Sequence, residues 1–312
     1  MELTDQLNVL ELKKAYCEGR IPKHEYFQRM LEKNNVLRQY SELLTETSLS
    51  EIRITKDMVV GVGQKFGLKH VMVFEDVSNI PLRTLATGDY EPEEMEFILG
   101  LVRPGDTVFD IGGNTGWISM NIARKVPDSK IHVFEPIPHT SAILEKNLEI
   151  NGFDNISLHK IALSDKEGVN AFYFNTKELG ATSMRNIREL NGGATVSVKS
   201  ERLDDFMREN GIQRLDFIKC DVEGAELLVI RGGLETIKKY RPILFVEMLR
   251  KWAAKFDYHP NDIISLLSRN GYSCYAIRHE KLQEMKVMDD SVMCTNFFFV
   301  HEDRKAEIAR YL

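Results

Sequence analysis

The stretch VFDIGGNTGWIS, residues 108–119, constrains this chain more than any other. Its apolar start reads as a buried strand that ends in Asp110. Gly112, Gly113 and Gly116 then let the backbone bend, and Trp117 opens a helix-forming run. Strand, glycine bend and helix in that order make the first half of a βαβ unit, with the free N–H groups of the helix aimed at the end of the strand. From Tyr90 onward, short apolar runs alternate with helix-period stretches. The expected fold is α/β, Rossmann-like, with a mostly parallel seven-stranded sheet and helices on both faces. The strands expected are Thr107–Asp110, Lys130–Glu135, Ile156–Ala162, Leu215–Asp221, Ile243–Glu247, Ser273–Arg278 and Asn296–His301. The intervening helices are Glu91–Leu101, Trp117–Lys125, His139–Asn151, Leu203–Asn210, Ala225–Lys239 and Asn261–Asn270. Between Leu163 and Glu201 the rhythm breaks. There VNAFYFN and ATVSVKS read as strands around the loop TKELGATSMRNIRELNGG, an insertion over one end of the sheet.

The pattern divides the chain into an accessory region, 1–89, and a main domain, 90–312. Up to about Thr47 the residues favour two or three amphipathic helices, with Leu3, Leu7 and Leu10 on one face and Val36, Leu37, Tyr40 and Leu44 on another. These helices are expected to pack on the main domain, with a lid or a homodimer contact as the alternatives. MVVGVGQKFG, KHVMVFE and PLRTLAT read as a small β element.

A net charge of −6 gives no electrostatic footprint for a polyanion, so nucleic acid is not the expected partner. No run of about 18 apolar residues marks a transmembrane segment, and the N-terminus is charged throughout, which suggests the cytoplasm. Cys17, Cys220, Cys274 and Cys294 lack metal-ligand spacing and are expected as reduced thiols.

The glycine bend narrows the ligand. No G-K-[ST] follows it, which excludes a P-loop, and Asn114 stands where a dinucleotide fingerprint needs its middle glycine. Glu135, followed by Pro136, ends the next strand, where a carboxylate accepts hydrogen bonds from a ribose diol. A nucleoside with a carboxylate tail, a positive centre and no pyrophosphate matches S-adenosylmethionine. The bland reading, a turn closing a strand–helix unit and a solvated strand end, covers either feature alone better than the pair at βαβ spacing.

Together with VFEPIPHTSAILEKNLEING, IALSD, LDFIKCDVEGAELLVIRGG and RPILFVE, the stretch resembles the FkbM family of class I S-adenosylmethionine-dependent methyltransferases, from about Val108 to Glu247. DVEGAE after an apolar strand is the most specific block. The resemblance implies O-methylation of a hydroxyl on a sugar, glycoside or polyketide-type metabolite, as in natural-product or polysaccharide biosynthesis. By analogy Asp110, Gly112, Gly113, Asn114 and Gly116 would hold the methionine end, with the aromatic Trp117 beside them. Glu135 and Pro136 would meet the ribose, and Ala162 and Leu163 would lie beside the adenine, with Asp165 a weaker candidate.

Methyl transfer from a sulfonium needs a positioned oxygen and a route for its proton. Asp221, Glu223 and Glu226 sit at the end of the fourth strand and Glu247 at the end of the fifth. One reading makes Asp221 the general base, beside the cofactor as well; another has Asp221 and Glu247, with Glu223, bind Mg²⁺. Acids at a helix N-terminus also simply complement the dipole. His259 is a further catalytic candidate, which equally fits a loop before a proline-started helix, and His139 suits a helix flank. Thr182, Ser183, Arg185 and Asn186 offer polar contacts to a hydroxylated acceptor, or a plain surface loop. N-methylation of a small molecule, an NAD-dependent oxidoreductase or epimerase on a similar fold, and a non-catalytic scaffold remain the alternatives.

Overall fold

The computed structural model describes residues 7–175, 178–185 and 194–312. In chain order the elements are α1 (Val9–Cys17), α2 (Lys23–Leu44), β1 (Leu49–Ile54), β2 (Val59–Gly63), β3 (Lys69–Val71), α3 (Ile80–Thr87), α4 (Pro92–Leu101), β4 (Thr107–Ile111), α5 (Trp117–Lys125), β5 (Lys130–Phe134) and α6 (Pro138–Asn151). They continue with β6 (Ile156–His159), β7 (Ala162–Ser164), β8 (Gly168–Asn175), β9 (Glu178–Ser183), β10 (Ala194–Arg202), α7 (Leu203–Glu209), β11 (Phe217–Cys220), α8 (Glu226–Gly232) and α9 (Leu234–Tyr240). The rest are β12 (Ile243–Glu247), α10 (Arg250–Ala253), α11 (Pro260–Ser268), β13 (Tyr272–Arg278), β14 (Lys281–Met285), β15 (Asn296–His301) and α12 (Lys305–Ile308).

The main sheet is Rossmann-like, in the order β14-β13-β15-β12-β11-β4-β5-β6. β4 pairs in parallel with both β5 and β11, so the strand order reverses between β4 and β11. That reversal opens a crevice at their carboxyl ends, the place where such sheets bind ligands. Side chains alternate across the sheet into two apolar layers. Phe109, Ile218 and Leu244 enter one, and Val108, Phe217 and Phe245 enter the other.

In the main domain four expectations need correcting. The sheet has an eighth strand, β14, which pairs antiparallel to β13 at the edge as a hairpin. The run Ile156–Ala162 is not one strand: β6 ends at His159, and Ala162 begins β7, which pairs with β10 in the insertion sheet, ordered β7-β10-β8-β9. Part of the expected insertion loop is β9, and its Asn186 lies outside the described residues. The helix Ala225–Lys239 is two helices. β7 passes so close that a Cβ on Gly232 would lie 2.0 Å from the Ser164 carbonyl oxygen, and the break follows at Gly233.

In the accessory region β1, β2 and β3 form an antiparallel sheet. PLRTLAT is helical, not extended, because Pro81 sits in the first turn, where its missing N–H costs nothing. α1 and α2 pack together through Leu12, Ala15, Tyr16, Tyr26 and Met30. Leu3 lies outside the described residues, and Leu10 is exposed. Val36, Leu37, Tyr40 and Leu44 line an open apolar groove with Ile52 and Phe74. Among the described residues no helix is long and apolar enough to cross a membrane, and all four cysteines are free thiols.

Candidate active site

β4 delivers Asp110 to the crevice, where it is almost fully buried. Ser119 Oγ, from the first turn of α5, donates to Asp110 Oδ2 at 2.5 Å and ties the helix to the strand end. The backbone N–H groups of Gly112 and Gly113 both donate to the Phe134 carbonyl at 3.0 Å, so the bend is fastened to β5. Gly112 has φ +79°, and a Cβ there would stand 1.8 Å from the Asp221 carbonyl oxygen. Glycine is what lets the ends of β4 and β11 approach so closely.

Glu135, just past β5, accepts from Asn114 N at Oε2 and from Ile137 N at Oε1, each at 3.0 Å. Burial pushes its carboxyl up to about 7 against these two bonds, which favour the charged form. A carboxylate has about four lone-pair sites, so each oxygen keeps one for a ligand hydroxyl.

Between Asp110 and Asp221 stands Lys219, a lysine within an otherwise apolar strand and 4% exposed. Its Nζ donates to the Gly112 carbonyl at 2.5 Å and lies 3.5 Å from Asp110 Oδ1 and 3.4 Å from Asp221 Oδ2. Burial alone would lower the ammonium's proton affinity. Asp221, Asp110 and Glu91 outweigh it and hold the group charged.

The other rim is acidic. Asp221, Glu223 and Glu247 each offer an oxygen within 4.8 Å of the others. Burial and then the Asp221 charge raise Glu247 well above the usual carboxylate range, and it is hydrogen-bonded to Asp221. Glu223 has φ +54°, a costly backbone for a non-glycine residue of the kind that clusters at functional sites. Glu226 does not face this rim. It is buried, its Oε1 accepts from Val222 N and Gly224 N at 3.0 Å, and Tyr258 OH donates to its Oε2 at 3.1 Å, so it closes the DVEG turn from inside. Glu91, at the start of α4, adds another acid near Asp221, raised to about 7 chiefly by burial.

One cleft, with about 480 Å³ of empty volume including its open mouth, is lined by Gly112, Asn114, Glu135, Pro136, Ile137, Phe172, Thr182, Asp221, Val222 and Glu223. Of the residues expected at a cofactor, Gly112, Asn114, Glu135, Pro136 and Asp221 come together here, with Asp110, Gly113 and Gly116 in the bend behind them. Trp117 does not join them: its ring packs 4.7 Å from His70 and 6.3 Å from Tyr90, against the accessory region. Ala162 is buried with Ile137, Phe172 and Val198, while Leu163 enters the main core, so neither lines the cleft directly. Asp165 follows β7, and its Oδ1 accepts from Ser164 Oγ at 3.4 Å.

His259 is exposed and does not line this cleft; its Nδ1 accepts from Asn261 N at 3.2 Å, capping α11. His139 is exposed in the first turn of α6. Ser183 is buried, and its hydroxyl donates to the Glu223 carbonyl at 2.8 Å, so it tethers the insertion to the DVEG turn instead of facing an acceptor. Arg185 is exposed, with its guanidinium 5.8 Å over the Phe256 ring. Sequence reasoning missed Lys219, Glu91, Ile137, Phe172 and Val222. Only Lys219 carried a signal, as a lone charge inside an apolar strand.

Residues 110–274, just over half of the chain, match the family model described as "Methyltransferase FkbM domain". The chain is 29% identical over 178 residues to "2-O-methyltransferase NoeI" of Sinorhizobium fredii (strain NBRC 101917 / NGR234), covering 51% of this chain and 72% of that one. It is 30% identical over 147 residues to "Methyltransferase 1" of Beauveria bassiana (strain ARSEF 2860), covering 41% and 59%. With "31-O-demethyl-FK506 methyltransferase FkbM" of Streptomyces tacrolimicus it shares 28% over 158 residues, covering 42% and 60%. The match thus spans about three fifths of the length of the last two relatives. Among solved structures, that of methyltransferase FkbM from Methylobacillus flagellatus KT is similar over 64% of this chain and 44% of its own at 15% identity and a TM-score of 0.41, too loose a likeness to carry a functional argument.

Proposed function

Because this chain belongs to the FkbM methyltransferase family, we propose that it moves a methyl group from S-adenosylmethionine to a hydroxyl of a small polyhydroxylated acceptor such as a sugar or glycoside. The observation that carries this reading is the meeting of Glu135 and Asp221 in one cleft at the strand-order reversal. Two of the relatives carry O-methyltransferase names, which supports a hydroxyl acceptor.

The residues present fit the cofactor. Among the described residues Asp110 Oδ1 is buried with no hydrogen bond and is ion-paired with Lys219. Asp110 and the glycine bend would hold the methionine end, Glu135 the ribose, and Ile137 with Phe172 the apolar base. When bound, the cofactor supplies a methyl group on a positively charged sulfur. The protein's own task is to orient the acceptor oxygen and take its proton. Asp221 accepts a hydrogen bond from the hydroxyl. Asp221 would take the hydroxyl proton as the oxygen gains the methyl group and release it to solvent, with Glu247 hydrogen-bonded beside it. Glu223 stands where a neighbouring acceptor hydroxyl would donate.

A second reading follows from the three clustered oxygens. Asp221, Glu223 and Glu247 would bind Mg²⁺, a hard cation that lowers the hydroxyl's pKa. One experiment separates these readings. The protein is incubated with S-adenosylmethionine and a panel of glycosides and amines, with and without chelator, and S-adenosylhomocysteine release is followed. Turnover of hydroxyl acceptors that survives chelation supports the carboxylate base. Turnover abolished by chelation and restored by Mg²⁺ supports the metal, and turnover of amines alone contradicts the hydroxyl acceptor.

A further inference from the structure

Resting on the cofactor reading above, we propose that Lys219 is a positioning residue that locks the cofactor-binding loop to the acceptor side of the cleft. Its ammonium is shared by Asp110, the Gly112 carbonyl and Asp221.

The topology sets this up. Lys219 on β11 is the direct cross-strand partner of Asp110 on β4, and Asp221 follows two residues later. The ammonium has three N–H groups, and three oxygens surround it: the Gly112 carbonyl at 2.5 Å, Asp221 Oδ2 at 3.4 Å and Asp110 Oδ1 at 3.5 Å. The first belongs to the glycine bend, the second to the acceptor rim and the third to the end of β4. One atom therefore fixes the spacing of the parts that must bring a donor methyl and an acceptor oxygen together. Misplacement by about 1 Å at such a junction costs about 100-fold in rate.

Stability does not account for this lysine. Phe217, Ile218 and Cys220 fill the rest of β11 and are buried. An apolar side chain at 219 would suit that strand as well, since replacing a buried ion pair by apolar groups is often neutral or stabilising. What an apolar residue cannot do is hold Asp110 and Asp221, on adjacent strand ends, as two neighbouring anions. Without the cation they repel each other and push the bend and the rim apart.

The test is S-adenosylhomocysteine affinity, measured by calorimetry on the full chain for wild type, Lys219→Met, Asp221→Asn and the double variant, with thermal melts to check folding. Lys219→Met is expected to bind at least about 10-fold more weakly than wild type. The double variant is expected to bind more tightly than Lys219→Met alone, because removing one of two repelling anions relieves the damage. A residue that only filled space would give effects that multiply. Where Lys219→Met does not fold, Lys219→Gln, which keeps a donor for Gly112 without the charge, carries the same comparison. Effects that multiply, or a folded Lys219 variant that binds within about 3-fold of wild type, overturn the proposal while the cofactor reading stands. A wild type that does not bind S-adenosylhomocysteine removes the cofactor reading and this proposal with it.

Discussion

Asn147 of α6 donates from Nδ2 to the Thr115 carbonyl of the glycine bend at 2.8 Å, from a fully buried position. Its Oδ1 accepts from Val71 N of β3, also at 2.8 Å. One turn on, Asn151 accepts from Lys69 N at 2.9 Å and donates to the Lys69 carbonyl at 2.7 Å. Two asparagines thus act as the missing strand partner for β3, and one of them also holds the bend that would carry the cofactor.

Asn147→Leu keeps the volume and leaves Val71 N and the Thr115 carbonyl unpaired. Each unmet buried group costs about 1–3 kcal/mol, so a loss of roughly 2–4 kcal/mol is expected in urea unfolding. Weaker S-adenosylhomocysteine binding should accompany it. A loss below about 1 kcal/mol would show that α6 does not support the bend in this way.

Glu226 makes a prediction about pH. Its carboxyl is raised to about 7 by burial, and the Asp221 charge pushes in the same direction, while the N–H bonds of the DVEG turn oppose the rise. Unfolded, it titrates near its ordinary value of 4.5. Between those values the native state holds a proton that the unfolded state releases, so stability falls as pH rises from the lower to the upper. Glu135 and Glu91, raised to about 7 as well, contribute slopes of the same sign. Glu226→Gln keeps an oxygen for Val222 N and Gly224 N and presents its NH₂ to Tyr258 OH, whose own proton turns to the Gly224 carbonyl 3.0 Å away. It should flatten part of the slope and stabilise the protein by about 1–3 kcal/mol at pH 8. An unchanged slope in thermal melts from pH 5 to 8 would contradict the buried-acid assignment.

Glu135 predicts the pH dependence of cofactor binding. As pH falls through about 7 the carboxyl gains a proton and loses acceptor capacity for a ribose diol. Affinity for S-adenosylhomocysteine should fall about tenfold between pH 8 and pH 6. Glu135→Gln should bind weakly with a flatter profile. A wild-type profile that does not fall in this window would count against Glu135 as the ribose partner.

What the sequence makes legible is whatever the chain writes locally. The strand, bend and helix around Asp110 follow from apolar residues and glycines within one stretch. Glu135 and Asp221 are found because each ends an apolar strand. What it hides is set by partners far along the chain. The break between β6 and β7 exists because Ala162 pairs with the distant Ser200, which no local pattern announces. The interruption between α8 and α9 depends on the approach of Ser164 to Gly232. Ser183 and His259 carry functional chemistry in principle, but the fold commits one to the Glu223 carbonyl and the other to a helix cap. Lys219 is hidden for the opposite reason: alone it looks like a flaw in a buried strand, and only Asp110 and Asp221 explain it.

Asp221→Asn separates catalysis from binding. The amide keeps the shape but does not accept the hydroxyl proton. Methyl transfer should drop by about 100-fold or more, in line with the loss of a general base, while S-adenosylhomocysteine affinity stays within about 3-fold. Steady-state turnover beside calorimetry checks this, and a variant that turns over like wild type would remove Asp221 from the chemistry.

The most direct measurement is calorimetric titration of the wild type with S-adenosylhomocysteine and with NAD⁺, repeated on Asp110→Ala and Glu135→Ala. The account predicts one site per chain for S-adenosylhomocysteine, its affinity reduced by at least about 10-fold in both variants, and no heat with NAD⁺. Binding of NAD⁺ in preference to S-adenosylhomocysteine, or S-adenosylhomocysteine binding untouched by both substitutions, would contradict it.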